Sequence, residues 1–121
     1  MKSYEIRSAF GLDNLALTDR PVPQAGPGQV LVKVRAVSLN YRDLLVVDGQ
    51  YNPKMTLPRI PCSDGVGEVV GVGDGVREFQ MGDRVAGTFF QGWVSGPPTQ
   101  ELTKPALGGG VDGMLSEYVA L

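Results

Sequence analysis

Few side chains in this sequence can act on a bound molecule. Most fall in two short runs, Asn40-Tyr41-Arg42-Asp43 and Cys62-Ser63-Asp64, with Tyr51 between them. An amide, two phenols, a hydroxyl and carboxylates suit hydrogen bonding and proton donation. The chain contains no histidine, so its one cysteine, Cys62, lacks an activating base and reads as a small buried group rather than a nucleophile. Arg42 and Asp43 carry opposite charges beside a helix start. Asp43 suits the positive helix end there, and Arg42 is expected to be paired or solvated. Phe89, Phe90 and Trp93 form an aromatic cluster that either covers an end of the fold or lines a substrate pocket.

A glycine-rich run, Gly65-Val66-Gly67-Glu68-Val69-Val70-Gly71, superficially matches a dinucleotide fingerprint. That motif works where a glycine turn opens directly into a helix whose N–H groups meet a pyrophosphate. Here the glycines are threaded through β-branched residues and followed by another turn at Gly73-Asp74-Gly75, while Pro58 and Pro61 break the segment before them. The pattern predicts a strand that coils or is closely approached by a neighbour, not a cofactor loop.

The elements that must position these residues are short. Residues 3–10 alternate as a strand, Gly11-Leu12-Asp13-Asn14 turns, and residues 15–18 read as the partner strand. The clearest strand covers residues 29–37: Val30, Val32 and Val34 point to a core, and Leu31, Lys33 and Arg35 point away. Residues 40–47 change to helical spacing, with Asn40 as N-cap and Asp48-Gly49 as the end. Pro53, Pro58 and Pro61 predict an irregular loop. Strands follow at residues 65–72, 83–88 and 114–121, and residues 89–113 read as a long excursion with little regular structure. The sum is a mainly β fold of six or seven short strands, one short helix and one long irregular loop. No helix is long enough for a repeated βαβ crossover, so a small, partly open β-barrel fits best.

With 121 residues, the chain is expected to form one domain over residues 1–121. Seventeen glycines and nine prolines separate the apolar runs, which favours strands joined by tight turns over a helical bundle. The formal net charge is -2 with signs interspersed, so no basic stripe exists to track nucleic acid. No apolar stretch approaches the roughly 20 residues that span a bilayer, and the N-terminus lacks the apolar core of a signal peptide. One cysteine permits no internal disulfide, and a cytoplasmic location is the default expectation.

Five segments, in order and spacing, carry a resemblance: Pro27-Gly28-Gln29-Val30-Leu31-Val32-Lys33-Val34, Asn40-Tyr41-Arg42-Asp43, Pro61-Cys62-Ser63-Asp64-Gly65-Val66-Gly67, Val72-Gly73-Asp74-Gly75-Val76 and Met81-Gly82-Asp83-Arg84-Val85. Together they resemble the N-terminal, GroES-like domain of medium-chain dehydrogenases/reductases, nearest the zinc-free quinone oxidoreductase and enoyl reductase branch. The resemblance implies a barrel packed against a Rossmann domain, with NAD(P)H and a carbonyl, quinone or enone substrate meeting between them. It also implies no zinc, because the zinc-dependent branch carries cysteine where this chain has Asn40 and histidine where it has Ser63. The cysteines of that family's structural zinc lobe have no counterpart in residues 89–112.

Without a Lewis acid, hydrogen bonds must polarise the substrate. Asn40 is then expected either to donate to a developing oxyanion and brace the nicotinamide, or to cap the helix, or both. Tyr41 either faces the cleft with it or packs under the helix. Tyr51 matches the position of a tyrosine proton donor in mitochondrial-type enoyl reductases. Asn40, Tyr41 and Tyr51 are thus the catalytic candidates, Asn40 and Tyr41 the cofactor contacts, and Ser63, Asp64, Phe89 and Trp93 the expected pocket residues. Residues 117–121 end the chain in an apolar strand, so it is expected to be a piece of a longer enzyme, without its Rossmann domain and inactive alone. A second expectation, from a different class, is a stand-alone GroES-like binding or assembly module, possible as a homo-oligomer.

Overall fold

The structure is a computed structural model that describes all residues, 1–121. Strand β1 (Lys2–Ile6) pairs antiparallel with β2 (Leu15–Asp19), and a 3-10 turn at Leu12–Asn14 leads into β2. Strand β3 (Val30–Ser38) pairs with β4 (Asp64–Val72), β4 pairs with β5 (Arg84–Ala86), and β6 (Tyr118–Ala120) lies on the other side of β3. The larger sheet therefore runs β5-β4-β3-β6. Ladder bonds from Tyr4 N–H to the Leu115 carbonyl and from Glu117 N–H to the Lys2 carbonyl, each 3.0 Å, join β1 to the chain entering β6. The strands thus wrap round one core, while β2 and β5 remain free edges. The barrel is partly open.

The alternation in β3 produces the expected burial: Val30 and Val32 are buried, Val34 is half-buried and Arg35 is exposed. With Val69, Leu107, Met114 and Val119 they form the main core. Each such side chain contributes roughly 1.5–3 kcal/mol by leaving water. Two register shifts, between Leu31 and Val32 and between Val34 and Ala36, kink the β3–β4 ladder where β4 carries its glycines. At Gly67 a Cβ would collide with the Lys33 carbonyl and the Val32 side chain, so close strand approach, not cofactor binding, explains that glycine.

Helix α1 (Tyr41–Val47) follows β3 directly. It buries Asp43, Val46 and Val47; of the apolar residues at helical spacing (Tyr41, Leu44, Leu45 and Val47), Val47 is buried, Leu45 half-buried, and Tyr41 and Leu44 exposed. Val46 and Val47 close a second core with Ile6 and Met55, and this core seats the helix on β1. The long excursion is mostly irregular, as expected, but includes one extra helical turn, α2 (Gln100–Thr103), because Thr99 accepts the Leu102 N–H as its N-cap at 3.3 Å. Leu107 and Met114 enter the main core and anchor the end of the excursion.

Candidate active site

Asn40 occupies the N-cap of α1 in an extended conformation. The Asp43 carboxylate accepts the Asn40 backbone N–H at 2.8 Å, the reciprocal arm of a capping box that fixes where the helix starts. The Asn40 side chain is turned toward β4: its Nδ2 donates to Asp64 Oδ2 at 2.7 Å, and its Oδ1 is 3.3 Å from the Ser38 hydroxyl. The same Asp64 oxygen accepts the hydroxyl of the fully buried Ser63 at 2.7 Å. Ser38, Asn40, Ser63 and Asp64 therefore form one polar chain linking the end of β3, the helix cap and the start of β4.

Cys62 stands at the turn that leads into this arrangement. It adopts φ 72, an unfavourable left-handed conformation for a residue with a Cβ. It is held there by the Met114 N–H bond to its carbonyl, 2.8 Å, and by Gly113, whose added Cβ would collide with the Pro61 and Cys62 carbonyls. Burial is the largest cause raising its thiol from 9.0 to about 12, and the Asp43 carboxylate adds to the shift. Cys62 is thus the small buried group expected, not a thiolate.

Asn40 and Tyr41 stand at a hollow of about 440 Å³ lined mainly by apolar side chains, among them Leu39, Leu44, Leu115 and Cys62. Tyr41 is 76% exposed, so it faces outward and does not pack under the helix. Ser63 and Asp64 do not line this hollow; they support it through Asn40. Phe89 and Trp93 also lie outside it: Phe89 packs edge-on to Phe90 at 4.5 Å, and Trp93 Nε1 donates to the Gly96 carbonyl at 2.9 Å. Tyr51, 44% exposed, lies with its ring 4.4 Å from the Arg42 guanidinium. Of its two expected states Arg42 takes the paired one: it is largely buried, with Nη1 3.9 Å from Asp43 Oδ1. The largest hollow, about 830 Å³ between Arg20, Asp112 and the last strand, contains none of the candidate residues. Leu12, Leu15 and Leu115 line the smaller hollow without any sequence signal, since each reaches it from a distant segment.

The donor set does not fit a zinc centre. Its donors are the Asn40 amide, the Ser63 hydroxyl already donating to Asp64, and the single Asp64 carboxylate, and one carboxylate with two neutral oxygens does not make a zinc site. No three His, Cys, Asp or Glu side chains are gathered to hold a metal.

Residues 26–121 match the family model of the alcohol dehydrogenase GroES-like domain. The chain belongs to that family. A zinc-type alcohol dehydrogenase-like protein of Schizosaccharomyces pombe is 45% identical over 112 residues, covering 92% of this chain and 32% of that protein. A chloroplastic quinone-oxidoreductase of Triphysaria versicolor is 36% identical over 100 residues, covering 77% of this chain and 30% of its own length. Among solved structures, an NAD-dependent alcohol dehydrogenase superposes with a TM-score of 0.82 at 34% identity, over 100% of this chain and 37% of that one. The GroES-like domain described here thus spans about a third of the length of these relatives. They are oxidoreductases of the medium-chain alcohol dehydrogenase and quinone oxidoreductase family.

Proposed function

We propose that this GroES-like domain is the substrate side of a zinc-independent, NAD(P)H-dependent oxidoreductase that reduces a carbonyl, quinone or enone. The observation that carries this reading is Asn40 at the rim of an apolar hollow, its amide anchored to Asp64 through one N–H. The second N–H of that amide is free to donate to the negative charge that develops on the substrate oxygen. Because Asp64 also accepts from buried Ser63, the amide is oriented before substrate arrives and need not reorganise.

NAD(P)H, bound by a Rossmann domain beside this one, supplies the hydride. Asn40 and Tyr41 would border the nicotinamide, and Tyr51 would deliver the proton that completes reduction, to oxygen in a carbonyl or to the α-carbon in an enone. Covered by the cofactor domain, the apolar lining of the hollow would keep water from the reacting atoms. Phe89 reaches the site only indirectly, through the Arg42 guanidinium that lies over its ring, and Trp93 lies outside the hollow. Exposed Leu39 and Tyr41 suit coverage by the cofactor domain, with a homo-oligomer as the other partner arrangement. A protonated, buried thiol suits the cytoplasm, where we place the enzyme.

The test is reduction of quinones, enones and aldehydes by the complete enzyme, followed as NAD(P)H oxidation. Asn40→Ala is expected to lower kcat by about a hundred- to a thousand-fold, the scale of losing one oxyanion donor. The 121-residue chain by itself is expected to give no turnover. Unchanged kcat in Asn40→Ala would refute the assigned role.

A further inference from the structure

Arg42 is an unusual residue to find in this position. Its Nη1 donates to the Leu107 carbonyl at 3.1 Å, but Nε and Nη2 are buried and have no hydrogen-bond partner. Leaving both donor atoms unsatisfied is costly, and the one contact of the Asp43 carboxylate with the guanidinium is to Nη1, at 3.9 Å, beyond hydrogen-bond reach. What the guanidinium has instead is two aromatic faces: it lies over the rings of Tyr51 and Phe89, 4.4 Å from each centroid. Gly109 leaves the room for it, since a Cβ there would lie 2.9 Å from Nη2. Three segments distant in sequence converge on this one side chain: α1, the loop that carries Tyr51, and the excursion at Phe89 and Leu107. A lysine could supply the charge. Only a planar guanidinium can lie over two rings and reach a carbonyl at once.

We propose that Arg42 is a positioning residue that holds the Tyr51 phenol in place for proton delivery and clamps the 89–111 segment to the helix presenting Asn40. The catalytic part of this inference rests on the proton-donor reading of Tyr51. The clamp itself does not.

Two measurements separate these parts. In NMR spectra of the 121-residue chain, the Arg42 Nε–H and δ-methylene signals are expected upfield, shielded by the two rings, with slow exchange of the Nε proton. Tyr51→Leu should move them back toward ordinary values. Signals already at ordinary positions in the unsubstituted chain would overturn the clamp.

In the complete enzyme with an enone and NAD(P)H, Arg42→Lys is expected to lower kcat about ten-fold, with KM for NAD(P)H little changed, a part of the roughly 10²–10⁴-fold that general acid catalysis supplies. In a Tyr51→Phe background the same change should cost less than about two-fold, because both act through one proton transfer. An undiminished cost in that background would overturn positioning through Tyr51. Full turnover of Tyr51→Phe alone would remove the proton-donor reading and with it the catalytic half, while the ring-current shifts still decide the clamp. Should Arg42→Lys fail to fold, Arg42→Met, which fills the same space without charge or planarity, takes its place in the cycle.

Discussion

The Cys62 thiol is raised to about 12, first by burial and then by the Asp43 carboxylate, which ties one residue's titration to the stability of the domain. A raised folded pKa means that the unfolded chain loses this proton first, near 9.0, while the folded chain keeps it. The stabilising contribution is therefore full below pH 9 and is lost as pH rises toward 12, at up to about 1.4 kcal/mol per pH unit. Denaturation of Cys62→Ala alongside the unsubstituted chain checks the sign: the gap in stability between them should narrow as pH is raised above 9. In native protein at neutral pH the thiol should resist a maleimide for hours, and prompt labelling would contradict its burial. At this scale the sequence was informative about identity and less so about surroundings. The absence of histidine was enough to read Cys62 as inert, and Asn40 was recognisable as a helix cap. That Asp64 would take the Asn40 amide, or that Arg42 would lie over two rings, depends on segments brought together only by the fold.

Strand β4 was legible in both kind and limits: residues 65–72 were expected and Asp64–Val72 is observed. Its β-branched residues marked a strand, and its glycines marked close approach. The structure explains the second point through the Lys33 carbonyl beside Gly67. Gly67→Ala should therefore destabilise the domain by about 1–3 kcal/mol, the cost of forcing atoms into a packed site, because the colliding atom is backbone in the paired strand and cannot swing away. Thermal or urea denaturation measures it, and a neutral Gly67→Ala would show that β3 and β4 are less tightly apposed. The helix was legible as an element, and of its apolar residues at helical spacing only Val47 is buried. Tyr41 and Leu44 turn to the hollow, and Val46 and Val47 turn to Ile6 and Met55, a choice set by the position of β1. The 89–113 excursion had no periodicity to read. Its order comes from Leu107 and Met114 entering the core.

For the whole molecule, the five spaced segments were sufficient to indicate the barrel, and the structure has the expected partly open sheet with β2 and β5 as free edges. An ion-pair network of Glu5, Arg20, Arg59 and Asp112, which no sequence pattern suggested, fastens the N-terminal hairpin to the end of the excursion. The arrangement leaves Asn40 and Tyr41 at the molecular surface beside apolar walls, where a second domain can complete the site. In the proposed enzyme, fixed polar side chains rather than a metal ion would stabilise the reacting oxygen. Zinc content of the complete enzyme, measured with turnover before and after chelation, tests this most directly. The predicted result is far less than one zinc per chain and turnover unaffected by the chelator. One tightly held zinc per chain, with turnover lost on its removal and the metal released by replacing Ser63 or Asp64, would contradict the account.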